Sequence, residues 1–368
     1  MSIKRRKVVH VITTIERGGA EISLLALARE QVKNGYQVVV IPLKGEIELA
    51  EEFIQAGVTL DLSLLNHIFI SQVIMLRRKY NKNFVFHGHL PRSELLIRLS
   101  NVTSNFFVTR HNVEPFFTNA PSFLSRFLSL FVTNNRTIVI AISKAVLDFL
   151  VESKEVAKET PTSIIYYGFN RRNEHTKVRR LKNTEPKTTL RIGTISRLAP
   201  QKNLNLLIDL AELLREKGFR FLIEIVGLGP DESLLKHQIK ERGLENEISF
   251  LGKTGDVMSF LKVQNVFVLT SKYEGFGLVL LEAMDAELPI IAARNSAIPE
   301  ILGEGHPGLF ISNNLNSLFE TLQNILRLPE TYEKTMKAQS ERLDLFSMER
   351  YFLEHHRAYS HTECNSIG

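Results

Sequence analysis

At 368 residues the chain is long for one hydrophobic core and comfortable for two domains of about 150–200 residues each. Its composition, 44% apolar and 23% charged, is that of an ordinary globular protein, and without an apolar run of about 18 residues no segment is expected to span a bilayer. A single cysteine, Cys364, excludes an intrachain disulfide framework and a cysteine-based zinc site, while charge is uneven: residues 1–172 hold 22 Lys and Arg against 14 Asp and Glu, the remainder 24 against 26. Excess positive charge on one half points to an acidic partner there (anionic lipid, a phosphorylated acceptor or nucleic acid) or to a merely solvated surface.

The basic start, Met1 to Lys7, runs into Val8-Val9-His10-Val11-Ile12, which is too short for a signal segment and lacks a small-residue cleavage site. It reads as the first strand, Lys7 to Thr13, of a cytoplasmic protein. Gly18-Gly19-Ala20-Glu21 follows, then a helical apolar period from Ile22 to Val32 ending at Asn34-Gly35, then a strand from Gln37 to Leu43. This is one βαβ unit. Its glycine pair lacks the third glycine of a dinucleotide fingerprint, so a plain tight turn and a phosphate cradle both stand open.

Three more strands are expected over 83–87, 105–109 and 138–142, ending in His87-Gly88-His89, Arg110-His111-Asn112 and Ser143-Lys144. Ligands of open parallel sheets bind beyond the carboxyl ends of strands, so each polar end marks a candidate site. His87 and His89 could pair on a metal, but no carboxylate or thiol stands at ligand spacing, which favours packing or backbone bonding. Pro115 to Phe131 is rich in Phe and flanked by Arg126 and Arg136; it reads either as a core-facing helix or as one that rests on anionic lipid.

Residues 171–189 are nearly devoid of apolar side chains, carry Arg171, Arg172, Lys177, Arg179, Arg180, Lys182 and Lys187, and read as an exposed linker. Strand–helix alternation then restarts: strands over 190–195, 221–226, 248–251, 266–269 and 289–293, helices over 204–217, 232–242 and 257–262, a helix from Leu278, a helix over 316–327, and one long helix over about 329–361. The stretch around which this half is organised is Ser271 to Met284. A buried strand ends there, Gly275 and Gly277 permit a tight turn, and a helix opens at Leu278 with its positive dipole end above the sheet. Glu274 precedes the turn and Glu282 is placed about two helical turns inside the helix. A ligand with a central phosphate and hydroxyls at both ends, such as a nucleotide sugar, suits that arrangement.

The ordered set Gly18-Gly19-Ala20-Glu21, Arg110-His111, Ala141-Ile142-Ser143-Lys144, Gly193 to Leu198 with Lys202-Asn203, Val226 to Pro230, Phe250-Leu251-Gly252, Glu274-Gly275-Phe276-Gly277 with Glu282, and Pro299-Glu300 resembles the retaining glycosyltransferases of family 4. The chain departs from them at Tyr167-Gly168-Phe169-Asn170 and at Asn295 to Ile298. The resemblance implies an α/β fold of the GT-B type. Two facing doubly wound, Rossmann-like domains would have a cleft between them: residues 1–170 on the acceptor side, a linker over 171–189, and a donor domain over 190–344. The C-terminal helix, about 345–368, would pack back on the first domain.

The same resemblance implies a metal-independent transferase without a cofactor, moving a hexosyl- or N-acetylhexosaminyl-type sugar from a UDP- or GDP-linked donor to a glycan or polyprenyl/lipid-linked acceptor. Bacterial cell-surface polysaccharide or lipopolysaccharide synthesis is the expected setting, at the inner face of the cytoplasmic membrane. Arg197 and Lys202 would stabilise the leaving diphosphate, which fits the lack of an Asp-X-Asp motif. His111 would lie near sugar and acceptor, Glu274 on the donor sugar and Glu282 on the ribose. Gly19, Gly227, Gly275, Phe276, Gly277 and Leu278 would line the donor. No nucleic-acid motif accompanies the basic half. The runner-up readings are a nucleotide-sugar epimerase on the same fold and a catalytically idle nucleotide-sugar-binding subunit.

Overall fold

The computed structural model describes residues 6–364 except 82, 104, 119, 135 and 172–188, so most of the basic stretch expected as a linker lies outside the described residues. The chain divides into two compact units, 1–170 with 346–368, and 171–345.

In the first unit the chain runs β1 (Lys7–Ile12), α1 (Gly19–Lys33), β2 (Gln37–Pro42), α2 (Ala50–Gln55), β3 (Thr59–Leu60), α3 (Phe69–Lys79), β4 (Val85–His89), α4 (Pro91–Ser100), β5 (Phe106–Arg110), α5 (Ser122–Val132), β6 (Thr137–Ala141), α6 (Lys144–Glu152) and β7 (Thr162–Ile164). The strands form one parallel sheet in the order β3-β2-β1-β4-β5-β6-β7. Runs such as Val38-Val39-Val40-Ile41 are buried on both faces, which is why they are continuous rather than alternating.

The second unit runs β8 (Leu190–Ile195), α7 (Leu204–Glu216), β9 (Phe221–Val226), α8 (Glu232–Glu241), β10 (Ile248–Gly252), α9 (Val257–Lys262), β11 (Val266–Leu269), α10 (Leu278–Asp285), β12 (Ile290–Ala293), α11 (Ile298–Leu302), β13 (Leu309–Phe310), α12 (Leu315–Arg327) and α13 (Pro329–Leu343). Its parallel sheet is ordered β10-β9-β8-β11-β12-β13. The core is aliphatic: Ile192, Ile223, Val266 and Ile291 of the sheet meet Leu207 and Leu214 of α7 and Leu318 and Leu322 of α12. Both units are doubly wound α/β, as expected.

The last helix, α14 (Met348–Cys364), returns to the first unit. There Tyr351 hydrogen-bonds Ser23 at 2.9 Å, and Tyr36 hydrogen-bonds His356 at 2.7 Å. A Cβ on Gly168 would sit 2.7 Å from both Met348 and Tyr351, so glycine at this position lets α14 pack close.

The long helix expected over 329–361 is two helices. A 3-10 turn over Asp344–Phe346 separates α13 from α14, and Ser347 restarts the helix by accepting the Arg350 N–H at 3.2 Å. Helix α1 begins at Gly19 rather than Ile22, so the glycine pair forms the helix start itself. Helices α3 and α4 stand where no element was expected. Neither has a side-chain cap, and α4 starts after Leu90 at φ +72°, a backbone state that local pattern does not announce.

Candidate functional site

In the second unit the loops after β8, β11 and β12 interlock at the carboxyl ends of their strands. The Lys202 ammonium lies 2.6 Å from Glu274 Oε1, and the Ser271 hydroxyl donates to that same oxygen at 2.7 Å. Both charged side chains are largely covered. Backbone bonds set this pairing: Lys272 N–H donates to Gln201 O at 2.7 Å, and Thr270 Oγ1 donates to Lys202 O at 2.9 Å. From the β12 side, Ser296 Oγ donates to Glu274 O at 2.7 Å and Asn295 Nδ2 to Ser271 O at 2.9 Å. Glu274 is thus fixed from three loops. Its partners Ser271 and Ser296 carry no sequence signal beyond their place next to the glycine turn.

Arg197 is exposed and makes no ion pair with a described residue. It stands in the Ser196–Leu198 loop, which is pressed against the loop after β9. A Cβ on Gly227, at φ +140°, would come within 1.9 Å of Ser196 O, and one on Gly229 within 2.2 Å of Leu198 O. These glycines let two backbones touch. For Gly227 that is a packing reason sufficient in itself.

Gly277, at φ +90°, is the N-cap of α10, and Leu278 is the first helical residue. The first-turn N–H groups of any helix lack intrahelical partners, so the positive end of α10 opens beside Glu274. Phe276 is buried, so its ring belongs to the core beneath the turn. Glu282 is the fifth residue of α10 and half-buried. That puts it about one turn into the helix rather than two, because the helix starts only at Leu278.

The family model described as "Glycosyl transferases group 1" matches residues 176–342, and that described as "Glycosyltransferase Family 4" matches residues 17–172. Between them the two glycosyltransferase models match most of the chain, one in each half. An uncharacterized glycosyltransferase of Haemophilus influenzae is 30% identical over 155 residues, 42% of this chain and 43% of that one. The poly(ribitol-phosphate) alpha-N-acetylglucosaminyltransferase of Staphylococcus aureus is 30% identical over 137 residues, 37% of this chain and 28% of the other. The matches therefore span less than half the length of these relatives. Among solved structures, Anabaena HepE in complex with UDP-glucose superposes with a TM-score of 0.79 at 19% identity, covering 96% of this chain and 99% of that one. The fold is GT-B.

Two expected residues lie in the first unit. Gly19 is exposed at the start of α1, where Glu21 is already in place: the Thr14 hydroxyl donates to its carboxylate at 2.8 Å, and a Cβ on Gly18 would lie 2.5 Å from that carboxylate. The positive end of α1 therefore faces a resident acid, whose pKa burial raises. His111 is half-buried with both ring nitrogens engaged, Nε2 with His89 Nδ1 at 3.2 Å and Nδ1 with the Tyr167 hydroxyl.

Behind His111 runs a chain of imidazoles. His89 Nε2 bonds His10 Nδ1 at 3.0 Å, and His10 Nε2 bonds Gln31 Oε1 at 2.9 Å. Each neutral ring has one donor and one acceptor nitrogen, so the three rings must orient their N–H groups in one sense along the chain. Burial drives the pKa of His10 down to about 4 and of His111 to about 3, and holds His87 and His89 well below the usual value. His10, His87 and His89 bring ring nitrogens within 4.8 Å of one another, the reach of a metal. All of those nitrogens already have protein partners, however: His87 bonds Tyr359 and Thr109, each at 2.7 Å. His89 and His10 form a hydrogen-bonded support for His111, while His87 is held by Tyr359 and Thr109. His10 was missed from sequence because it meets His87 only through the register of β1 on β4.

Arg110, adjacent to His111, is a structural group. Its guanidinium lies 3.0 Å from Glu94, 3.4 Å from Glu155, and over the Phe116 ring at 4.5 Å. Burial raises the Glu94 pKa to about 7 despite that neighbour.

Proposed function

We propose that the chain is a retaining glycosyltransferase that moves a hexosyl- or N-acetylhexosaminyl-type sugar from a UDP- or GDP-linked donor to a glycan or lipid-linked acceptor of bacterial cell-surface polysaccharide or lipopolysaccharide synthesis. The observation that carries this reading is the covered Lys202–Glu274 pair at the open end of α10, with Arg197 unpaired nearby in the loop after the adjacent strand β8. A diphosphate arriving there meets two cations and a helix dipole, which stabilise charge as it develops on the leaving group. Lys202 is held in place before the donor arrives, so little reorganisation accompanies reaction. Glu274, fixed by Ser271 and Ser296, is placed to accept hydroxyls of the donor sugar, and Glu282 those of the ribose.

The UDP-glucose complex of the HepE fold neighbour supports a uridine donor, and the poly(ribitol-phosphate) relative supports a polymeric acceptor. Arg197 and Lys202 supply the neutralising charge without a divalent ion, and the leaving phosphate takes the acceptor proton on the face it departs from. The acceptor end is assigned to the membrane surface, on the basic first unit.

A thermal-shift screen with UDP, GDP, ADP and their sugars tests the proposal, because a ligand that binds only the folded state raises its melting temperature. One nucleoside diphosphate is expected to stabilise the protein and its sugar conjugate to turn over only with acceptor. Epimerisation of the nucleotide sugar without acceptor would overturn the transfer reading, and no stabilisation by any of them would overturn the donor site.

A further inference from the structure

Helix α5 is mounted with its polar side inward. Ser125 and Ser129 are fully buried. Ser129 Oγ donates to Glu155 O at 2.7 Å and accepts from Arg110 at 3.0 Å, while Ser125 Oγ accepts the Phe117 N–H at 2.9 Å. The opposite side holds Phe123, 75% exposed, and Phe127, 65% exposed, with Leu124 and Phe131 also open to solvent. An interior that demands hydroxyls has turned the α5 phenylalanines out, so the core-facing reading fails for them, while Phe116 ahead of the helix is buried.

Helices α3, α4 and α5 connect strands that progress in one direction across the sheet, so right-handed crossovers place all three on one face. Arg92 lies over Phe69 at 5.1 Å and bonds Gln72, joining α4 to α3; Arg98 lies over Phe131 at 5.0 Å and bonds its carbonyl, joining α4 to α5. This layer also exposes Ile68 (76%), Ile70 (70%), Ile74 and Leu99. Its charges are Arg77, Arg78, Arg92, Arg98 and Arg126, with Lys79 paired to Asp61 at 2.8 Å, and the one acid on these helices, Glu94, is buried on Arg110. The neighbouring α6, by contrast, buries Val146 and Leu150 and carries Asp148 and Glu152.

We infer that the outer face of α3, α4 and α5 is a docking surface for an anionic lipid bilayer, with Phe123, Phe127 and the α3 isoleucines entering the interface and the arginines meeting headgroups. A second copy of the chain fits badly, since a two-fold contact would set like charge against like with no exposed carboxylate on these helices to answer it. Aliphatic side chains next to the phenylalanines suit acyl chains, whereas nucleobases stack on aromatic rings alone. No helix among the described residues is long and apolar enough to cross a membrane, so the contact is peripheral. The inference rests on the proposed function only for what the surface serves, delivery of a lipid-linked acceptor.

The test is sedimentation of the full chain with phosphatidylcholine vesicles, with and without phosphatidylglycerol, at low and high salt. Binding is expected only with the anionic lipid and is weakened by salt. The Phe123→Ser/Phe127→Ser double variant should lose roughly tenfold or more in vesicle affinity with an unchanged melting temperature, whereas Val151→Ser on α6 should bind as wild type. Failure of wild type to sediment, equal binding by the double variant, or a single-stranded oligonucleotide that outcompetes vesicles would each overturn the inference. Nucleotide-induced thermal shifts in the double variant keep the two proposals separable: vesicle binding can fail while the donor site stands, and the reverse.

Discussion

Helices α5 and α12 are both amphipathic, yet they are mounted in opposite senses. In α12 the apolar stripe of Leu318, Leu322 and Ile325 is buried against the second sheet and its start is capped by Asn314, whose side chain accepts the Ser317 N–H at 2.9 Å. In α5 the buried residues are Ser125, Ser129 and, at its end, Val132, and the phenylalanines face out. The cause lies beneath each helix. Under α12 are aliphatic side chains; under α5 are Arg110 and Glu155, whose desolvated charges need hydrogen bonds more than the aromatic rings need burial. The contrast extends through each unit, since the first buries His10, His87, His89, His355 and Glu94, and the second mostly aliphatic groups.

The largest expected consequence is acid lability confined to one unit. Histidines whose folded pKa is depressed from 6.5, to about 4 for His10 and His355 and about 3 for His111, contribute stability that is fully present above pH 6.5 and lost as pH falls toward 4. Each net proton costs about 1.4 kcal/mol per pH unit in that window. Glu94 acts in the opposite sense: its pKa is raised to about 7, so its contribution grows as pH falls from 7 toward 4.5 and offsets one histidine. In the second unit, among the described residues, only His306 is similarly lowered, to about 4. Hydrogen exchange between pH 7 and 5 should therefore show peptides of residues 6–170 losing protection first. Equal loss in both units would contradict the contrast.

Arg110→Ala should cost about 3–5 kcal/mol in chemical denaturation by leaving Glu94 and Glu155 buried without their cation. Leu322→Ala on α12 should cost about 2–5 kcal/mol through the cavity it leaves. Ser129→Ala on α5, a change that removes a single oxygen, should still cost about 1–3 kcal/mol because the Arg110 donor and Glu155 carbonyl lose a partner. Phe127→Ser should stay within about 0.5 kcal/mol of wild type, since the ring is exposed. A destabilising Phe127→Ser, or a neutral Ser129→Ala, would show that α5 is mounted like α12.

These differences also mark what was legible in the sequence. Ten strands of the two sheets and the glycine turns at their ends were readable, because continuous β-branched runs and glycines act locally; the two- and three-residue edge strands β3, β7 and β13 have no such run. The Lys202–Glu274 pairing was foreseen only as two residues of one site; their direct contact depends on the loop after β8 meeting the loop after β11. Periodicity announced an apolar face on α5 without saying which way it points, since that is decided by Arg110, Glu94 and Glu155, far apart in sequence. His10 looked like an ordinary strand residue because its partners lie on β4 and α1. The break before Ser347 was hidden because polar and apolar residues keep helical spacing through it.

The central claim, that the loop after β8 holds a nucleoside diphosphate through Arg197 and Lys202, is tested most directly by calorimetric titration of UDP and GDP into wild type, Arg197→Ala and Lys202→Ala. One nucleotide should bind wild type, and each variant should bind it at least about tenfold more weakly, roughly 1.4 kcal/mol, with the melting temperature of the free protein unchanged in Arg197→Ala and lowered in Lys202→Ala, which leaves the covered Glu274 without its cation. Equal affinity in wild type and both variants would contradict the claim.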